Sequence, residues 1–504
     1  MGLRDFTLSD VIARNARLFP DNIAFECEDE RISHAQYLAR VQRLAAGLAR
    51  AGVGAGDRIA ILSHDNLDFV VCYGAVAWLG AILVPINRRL SADEICYIVS
   101  DSAPKIVIAD QAHQHVFGDG QQAFPSVLHW VGVGGASAPF TALEEFVAQA
   151  GETARHAFTA MAPIVMFHTA AVNGRPRGAL ITHAGLIASS GQLLHYWSLS
   201  PRDVNYGVLP LFHLAGLTML VAAQHAGGAS IIVPKFDAAE AARSIRDKRA
   251  TLLAEFPPIL GSLLDVAADP ADLASLRVVT GLDTPETIER FEKLCPNARF
   301  WVVFGQSETS GFVSMASYRD RPGSAGRPTF LNIVAVVDDA DQPLPVGQVG
   351  EIVVRGPSVF AGYWNCEADT AATFRNDWHH TGDNGAFDAD GYLWYKGRSP
   401  AKELIKPGGE NVYPAEVEAA LVAHPAILEA VVFGVPDPEW GEAVKSVCVF
   451  KPGQSATGEE LIAFVAGRIA RYKRPKYVVF AAGLPKTAAG AIDRNLVKDA
   501  YRDA

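Results

Sequence analysis

Short apolar runs alternate with helix-like segments through most of the chain, and this rhythm restricts the fold more than any other feature. "DRIAIL" (57–62), "AILVPI" (81–86) and "PKIVIAD" (104–110) read as buried strands. "LDFVVCYGAVAWLG" (67–80) and "SADEICYIVSDS" (91–102) between them read as helices. Asp65 or Asn66 is placed to cap the first, and Ser91 with Glu94 makes a capping-box pattern for the second. The rhythm returns in "GASIIVP" (228–234), "ATLLAEFPP" (250–258), "LRVVTG" (276–281) and "RFWVVFGQSE" (299–308). Strands spaced by helices pair in parallel and are covered on both faces, so the fold class is α/β. From about residue 328 the β-runs are separated by Pro/Gly turns, as in antiparallel hairpins. A third texture, helix then strand, begins near 400, which puts a domain boundary in "GRSPAKELIKPGG" (397–409).

Several function classes are excluded early. The chain has 504 residues, too many for one core at roughly 150 residues per domain. Its net charge of −11, with no polybasic run, argues against nucleic acid or an anionic membrane as partner. The first twenty residues read as an amphipathic helix and not as a signal sequence. No apolar run is long enough to span a bilayer, and the sixth residue does not fit a myristoylation pattern. Cys27, Cys72, Cys96, Cys295, Cys366 and Cys448 are scattered without a C-x-x-C, as reduced thiols of a cytoplasmic protein are, and this speaks against a structural zinc site. There is no Gly-Lys dipeptide, so the P-loop NTPase signature is absent. "GVGAGD" (52–57) precedes a strand and reads as a turn.

The stretch "PIVMFHTAAVNGRPRGALITH" (163–183) is a strand running into a turn. Gly174 and Gly178 permit close backbone approach to an anion, and Arg177 can neutralise it. By itself the stretch fits a plain surface turn equally well. It has company, however: "FGQSET" (304–309), "WHHTGDNGAFDADGYLWYKGR" (378–398), "GGENVYPAEVE" (408–418) and "LPKTAAGAIDR" (484–494). In this order and over nearly the whole length, the sequence resembles the adenylate-forming superfamily, which includes acyl-CoA synthetases, luciferase-like enzymes and peptide-synthetase adenylation domains.

The resemblance implies a large N-terminal nucleotide-binding domain, 1–399, with a small β-barrel-like subdomain. It also implies a small mobile α+β domain, 400–504, turning about a hinge near 399–403. The family's phosphate loop falls on 168–178. Thr169, Gly174, Pro176 and Gly178 match it, Arg177 replaces its Lys, and Ala170, Ala171, Val172 and Asn173 replace Ser, Gly, Thr and Thr. Ser307 matches a phosphate-contacting hydroxyl, and Glu308 the Mg²⁺-binding carboxylate. Asp383 and Arg398 match the ribose contacts. His213 matches the residue guarding the acyl pocket, with a simple packed histidine as the alternative. Gly281 and Gly305 are expected on the pocket wall, although "TGLDTPE" (280–286) departs from the family's usual segment. Gly408, Gly409 and Glu410 are expected beside the thiol of coenzyme A.

Two departures concern the mobile end. The hinge segment is two residues longer than usual, which leaves the pivot as Lys402 or Glu403. Ala491 stands where the family carries its catalytic Lys. The intact flanks favour a deliberate Lys→Ala replacement over natural degeneration, and the scattered changes at 170–173 read as natural variation. The implied activity is an acid:CoA ligase using ATP, coenzyme A and Mg²⁺ on a carboxylic acid, aryl or medium-chain, with its adenylating half impaired. No carrier-protein segment follows residue 504, which favours a free thiol acceptor. The alternatives are transfer to a carrier protein, or a non-catalytic binder of acyl-adenylate or coenzyme A. A homodimer is common among relatives.

Overall fold

The structure is a computed structural model. It describes all residues except 1, 119, 149–150, 152, 170–174, 268, 399–402, 439, 487–491 and 503–504.

The expected strands pair as the apolar runs require. Arg58–Leu62, Ile82–Pro85 and Ile106–Asp110 are buried and parallel. The helix Leu67–Leu79 separates the first two, and of its two candidate caps Asn66 is the one used, its carbonyl accepting the Phe69 N–H at 2.8 Å. That helix has no solvent-facing stripe, because it is buried nearly throughout between strands on one side and helix His34–Arg50 on the other. Gly80 ends it in the left-handed conformation, φ 68°. The next helix, Ala92–Ser102, carries the expected Ser91–Glu94 capping box. These strands belong to a seven-stranded sheet in the order Thr141–Ala142, His129–Val133, Ile106–Asp110, Arg58–Leu62, Ile82–Pro85, Pro163–Thr169, Arg177–Thr182; only the last pair is antiparallel.

The second run of strands forms a nine-stranded sheet, parallel through Leu252–Glu255, Val278–Gly281 and Arg299–Gln306 and antiparallel at its edges. Helices between the two sheets bury one shared core. Val70 and Val76 from the first half belong to one apolar cluster with Leu217 and Val221 of the helix Leu214–Ala226 from the second. Where hairpins were expected, Ile333–Val337, Gly350–Arg355, Phe374–Arg375, Trp378–Phe387 and Leu393–Arg398 make a five-stranded antiparallel sheet.

A small lobe follows, with a three-stranded sheet of Ile427–Asp437, Gly441–Phe450 and Tyr477–Phe480 covered by the helices Pro414–Val422, Gly458–Ala466 and Arg494–Tyr501. It has its own apolar core, centred on Val417, Leu421, Val432 and Leu461. Lys473 docks it to the large lobe, pairing with Glu416 of its own lobe at 2.6 Å and with Glu94 across the boundary. Lys402 lies outside the described residues. Glu403 is tied to the C-terminal helix through Arg494 and Lys498. Among the described residues, no helix is long and apolar enough to cross a membrane.

Candidate active site

Two hairpins and one tight turn aim the polar groups. Thr169 and Arg177 are register partners at the open end of the hairpin Pro163–Thr169 and Arg177–Thr182. Ala170, Ala171, Val172, Asn173 and Gly174 between them lie outside the described residues. Arg299–Gln306 runs into a single 3-10 turn, Ser307–Thr309. There the Thr309 hydroxyl accepts the Gln306 N–H at 2.8 Å and donates to the Gly311 carbonyl at 2.8 Å.

The turn brings Glu308 to the hairpin. The Thr169 hydroxyl donates to Glu308 Oε1 at 3.0 Å, and the Tyr363 hydroxyl donates to the same oxygen at 2.9 Å. Burial first, and the Glu308 charge second, push the Tyr363 phenol up, so it remains a donor at any ordinary pH. Arg177 lies over the Tyr363 ring, 4.0 Å from its centroid, and its Nη1 is 3.3 Å from Asp369.

The second hairpin makes Asp383 and Arg398 register partners, with Arg398 Nε 2.9 Å from Asp383 Oδ1. The Gln306 amide donates to the other oxygen, Oδ2, and to the Thr381 carbonyl at 3.0 Å. Asp383 is only 2% exposed, and these donors compensate for burying its charge.

The small lobe supplies the third element. Gly408 and Gly409 take φ of 55° and 83°, and each packs where a side chain would not fit. A Cβ on Gly408 would stand 2.8 Å from the Trp440 ring, and one on Gly409 2.9 Å from Phe256. Glu410 follows, 5% exposed, reaching into the large lobe. It accepts from Asn87 Nδ2 at 3.0 Å, Arg89 Nη1 at 2.5 Å and His213 Nε2 at 3.3 Å. Burial opposes its charge, but His213 and Arg89 outweigh burial and hold the carboxyl at about 2.

One cavity of about 460 Å³ joins these parts: Thr169, Arg177, Ser307 and Glu308 on one wall, His213 and the Gly408–Glu410 turn on another. A second cavity of about 770 Å³ adjoins it and is lined by Gly281, Asp383, Tyr395 and Glu403. Gly305 and Arg398 border both. His213 and Gly281, expected on one acyl pocket, thus stand on different cavities. His213 is also not simply packed, since it bonds Glu410. Ala491 lies outside the described residues.

Four features of the site were not anticipated: Tyr363 behind Glu308, Gln306 behind Asp383, Arg89 on Glu410, and the pair Glu255–Asp283. Glu255 is fully buried at a strand end in the second cavity. Burial first and the Asp283 charge second push its carboxyl well up, and burial also raises Asp283. For two of these residues the sequence marks the position in the fold, though not the partner. Arg89 follows a buried parallel strand by four residues, and Glu255 ends the apolar run "ATLLAE".

Carboxylate and hydroxyl oxygens at Glu308 and Thr169 are hard donors, and this set fits Mg²⁺.

Two unequal lobes closing on such a cavity define an adenylate-forming enzyme. The chain belongs to the AMP-binding enzyme family: that family's model matches residues 12–364, and the AMP-binding enzyme C-terminal domain matches residues 416–491. It is 33% identical to an indoleacetate–CoA ligase of Aromatoleum aromaticum over 97% of each chain. It is 53% identical to a crystal structure of a Rhodopseudomonas palustris CGA009 protein provisionally called a long-chain-fatty-acid CoA ligase; 79% of this chain and 100% of that one align, with a TM-score of 0.77. A Bacillus subtilis o-succinylbenzoate CoA synthetase double mutant bound with its product analogue OSB-NCoA matches at 28% identity, covering 97% of this chain and 98% of that one, with a TM-score of 0.87. The same synthetase with its acyl-adenylate intermediate OSB-AMP gives 0.72, at 27% identity and 99% coverage of each.

Proposed function

We propose that the chain is an acid:CoA ligase joining an aryl or medium-chain carboxylic acid to coenzyme A through an acyl-adenylate made from ATP. The observation that carries this reading is the meeting of Glu308, Arg398 and the Gly408–Glu410 turn around one cavity.

In the first half, a carboxylate oxygen attacks the α-phosphorus of ATP and pyrophosphate leaves. Charge gathers on phosphoryl oxygens, where the Arg177 guanidinium and the Thr169 and Ser307 hydroxyls bind. Asp383 accepts from the ribose hydroxyls. Glu308 would hold Mg²⁺, which neutralises phosphate charge when bound. Ala491, in place of the Lys that would bridge carboxylate and phosphate, costs on the order of 10²–10³ in rate.

In the second half, the thiol sulfur of coenzyme A attacks the acyl carbon. AMP leaves with the bonding pair, and the thiol proton passes to water. The closer match to the product-analogue complex than to the adenylate complex supports a small lobe turned for this step. Domain 400–504 turns against 1–399 about Lys402 or Glu403. The reading places the enzyme in the cytoplasm, with a homodimer as its assembly.

An acid panel with the Ala491→Lys protein tests it. Acid-dependent pyrophosphate release should rise at least about a hundredfold over the parent. Both proteins should convert preformed acyl-adenylate and coenzyme A to thioester at similar rates. Thioester formed on carrier-bound pantetheine but not on coenzyme A, or no recovery with any acid, overturns the reading.

A further inference from the structure

The carboxyl edge of the seven-stranded sheet carries a topological switch point whose side chains the reaction above does not use. The strand order reverses between Arg58–Leu62 and Ile106–Asp110. From the first strand the chain moves to Ile82–Pro85 on one side; from the second it moves to His129–Val133 on the other. Parallel strands that diverge in this way open a crevice at their carboxyl ends, which is where open α/β sheets bind ligands.

Three metal-capable side chains stand at that rim. His64 follows the first strand by two residues, Asp110 ends the second, and His113 comes three residues later. His64 Nδ1 lies 2.7 Å from Asp110 Oδ2, and His113 Nδ1 lies 2.5 Å from Oδ1. The ligating atoms of all three lie within 4.8 Å of one another, the only such His/Cys/Asp/Glu group among the described residues. The Asp110 and His113 side chains are largely covered, while His64 is 43% exposed, so the cluster opens to water on one side.

A plain hydrogen-bonded knot is the competing explanation. It does not account for the two rings, because the backbone N–H groups of His64 and His113 already donate to Asp110 at 2.8 and 3.1 Å. A turn carboxylate held by two amides has no structural need of two imidazoles as well. Two imidazoles and one carboxylate with an open side are the donor set of a divalent transition metal. The scattered cysteines have no bearing on this set, which uses none of them.

We propose that His64, Asp110 and His113 bind a divalent transition-metal ion of the zinc type, separate from the nucleotide-associated Mg²⁺ and independent of the ligase reading. Each ring carries its proton on Nε2 and offers Nδ1, and the ion replaces the two Nδ1–Oδ hydrogen bonds. Water completes the coordination on the exposed side. The cluster adjoins the active-site wall through Asp65, which follows His64 in the chain and lines the first cavity.

The test is calorimetric titration of Zn²⁺, and spectroscopic titration of Co²⁺, into the untagged, metal-stripped full chain without nucleotide. One equivalent should bind, and His64→Ala and His113→Ala should each weaken binding by about tenfold to a hundredfold or more. The Co²⁺ spectrum should show nitrogen and oxygen ligation. If an alanine variant unfolds, Asp110→Asn, which keeps the side-chain volume, should show the same loss with unchanged near-UV circular dichroism. No binding, undiminished binding in the folded variants, or a thiolate charge-transfer band placing the ion on cysteine overturns the proposal.

Discussion

His213 of the large lobe and Glu410 of the small lobe meet at 3.3 Å, and with Arg89 they form a charge-compensated clamp at the cavity mouth. Glu410 accepts three side-chain donors, all from the large lobe, so its charge is compensated only while the lobes are docked in this orientation. Glu410→Gln keeps the shape and removes the charge. Thioester formation from preformed acyl-adenylate should fall about tenfold to a hundredfold, a loss of about 1.4–2.7 kcal/mol. Acid-dependent pyrophosphate release should be unchanged. Equal losses in both half-reactions would count against the clamp.

The same clamp has an acid limit. A carboxyl held at about 2 when docked, and near 4.5 when free, stabilises docking fully above about pH 4.5. That stability is lost as pH falls from there through 2. Small-angle scattering between pH 6 and pH 3 should show the compact form giving way to a more extended one. A profile flat over this range would remove Glu410 as the cause.

Glu416, which shares Lys473 with Glu94, runs the opposite way, while Glu94 itself, against its burial, is lowered by the Lys473 charge. Two carboxylates share one buried ammonium, and burial first, with Glu94 adding to it, pushes Glu416 up to about 7. An acid raised on folding contributes most when protonated, so stability falls as pH rises from about 4.5 to 7 and then levels. Glu416→Gln imitates the protonated form. It should raise Tm at pH 8 relative to the parent, and the difference should vanish near pH 4.5. Differential scanning calorimetry across that range checks it.

Tyr363→Phe removes one of the two hydroxyls on Glu308 Oε1. The loss is about 1 kcal/mol, so the Mg²⁺ concentration needed for half-maximal pyrophosphate release should rise about fivefold with little change in Tm. A large drop in Tm instead would make Tyr363 a core residue and not a positioning one.

Gly281→Ala tests the second cavity. Gly281 has φ 150°, and a Cβ there would fall 1.9 Å from the Glu255 carbonyl oxygen. The backbone of two neighbouring strands must part, which costs at least about 2 kcal/mol by denaturant unfolding.

The sequence revealed those parts of the molecule whose cause is local. Buried parallel strands announce themselves as apolar runs, and Asn66, Ser91 and Gly80 mark helix ends because caps are short-range chemistry. Thr169, Glu308 and Asp383 were singled out only because several short motifs, in their order, resemble the adenylate-forming superfamily, whose phosphate, metal and sugar contacts fall on those positions. What escaped was contact across long separations. Tyr363 reaches Glu308 over 55 residues, and Glu410 reaches Arg89 over 321. Nothing in "AGYWN" or "PINRRL" names those partners. The Glu255–Asp283 pair was hidden for a different reason. A lone Glu at a strand end looks solvated until the neighbouring strand closes over it.

Thr169 and Asp383 stand on different sheets, and Glu308 stands on the turn that leaves a strand of a third. The groups proposed to contact the nucleotide are therefore complete only once nearly four hundred residues, through Arg398, have been synthesised. Under that reading, bound nucleotide lends its stabilisation only to a chain at least that long.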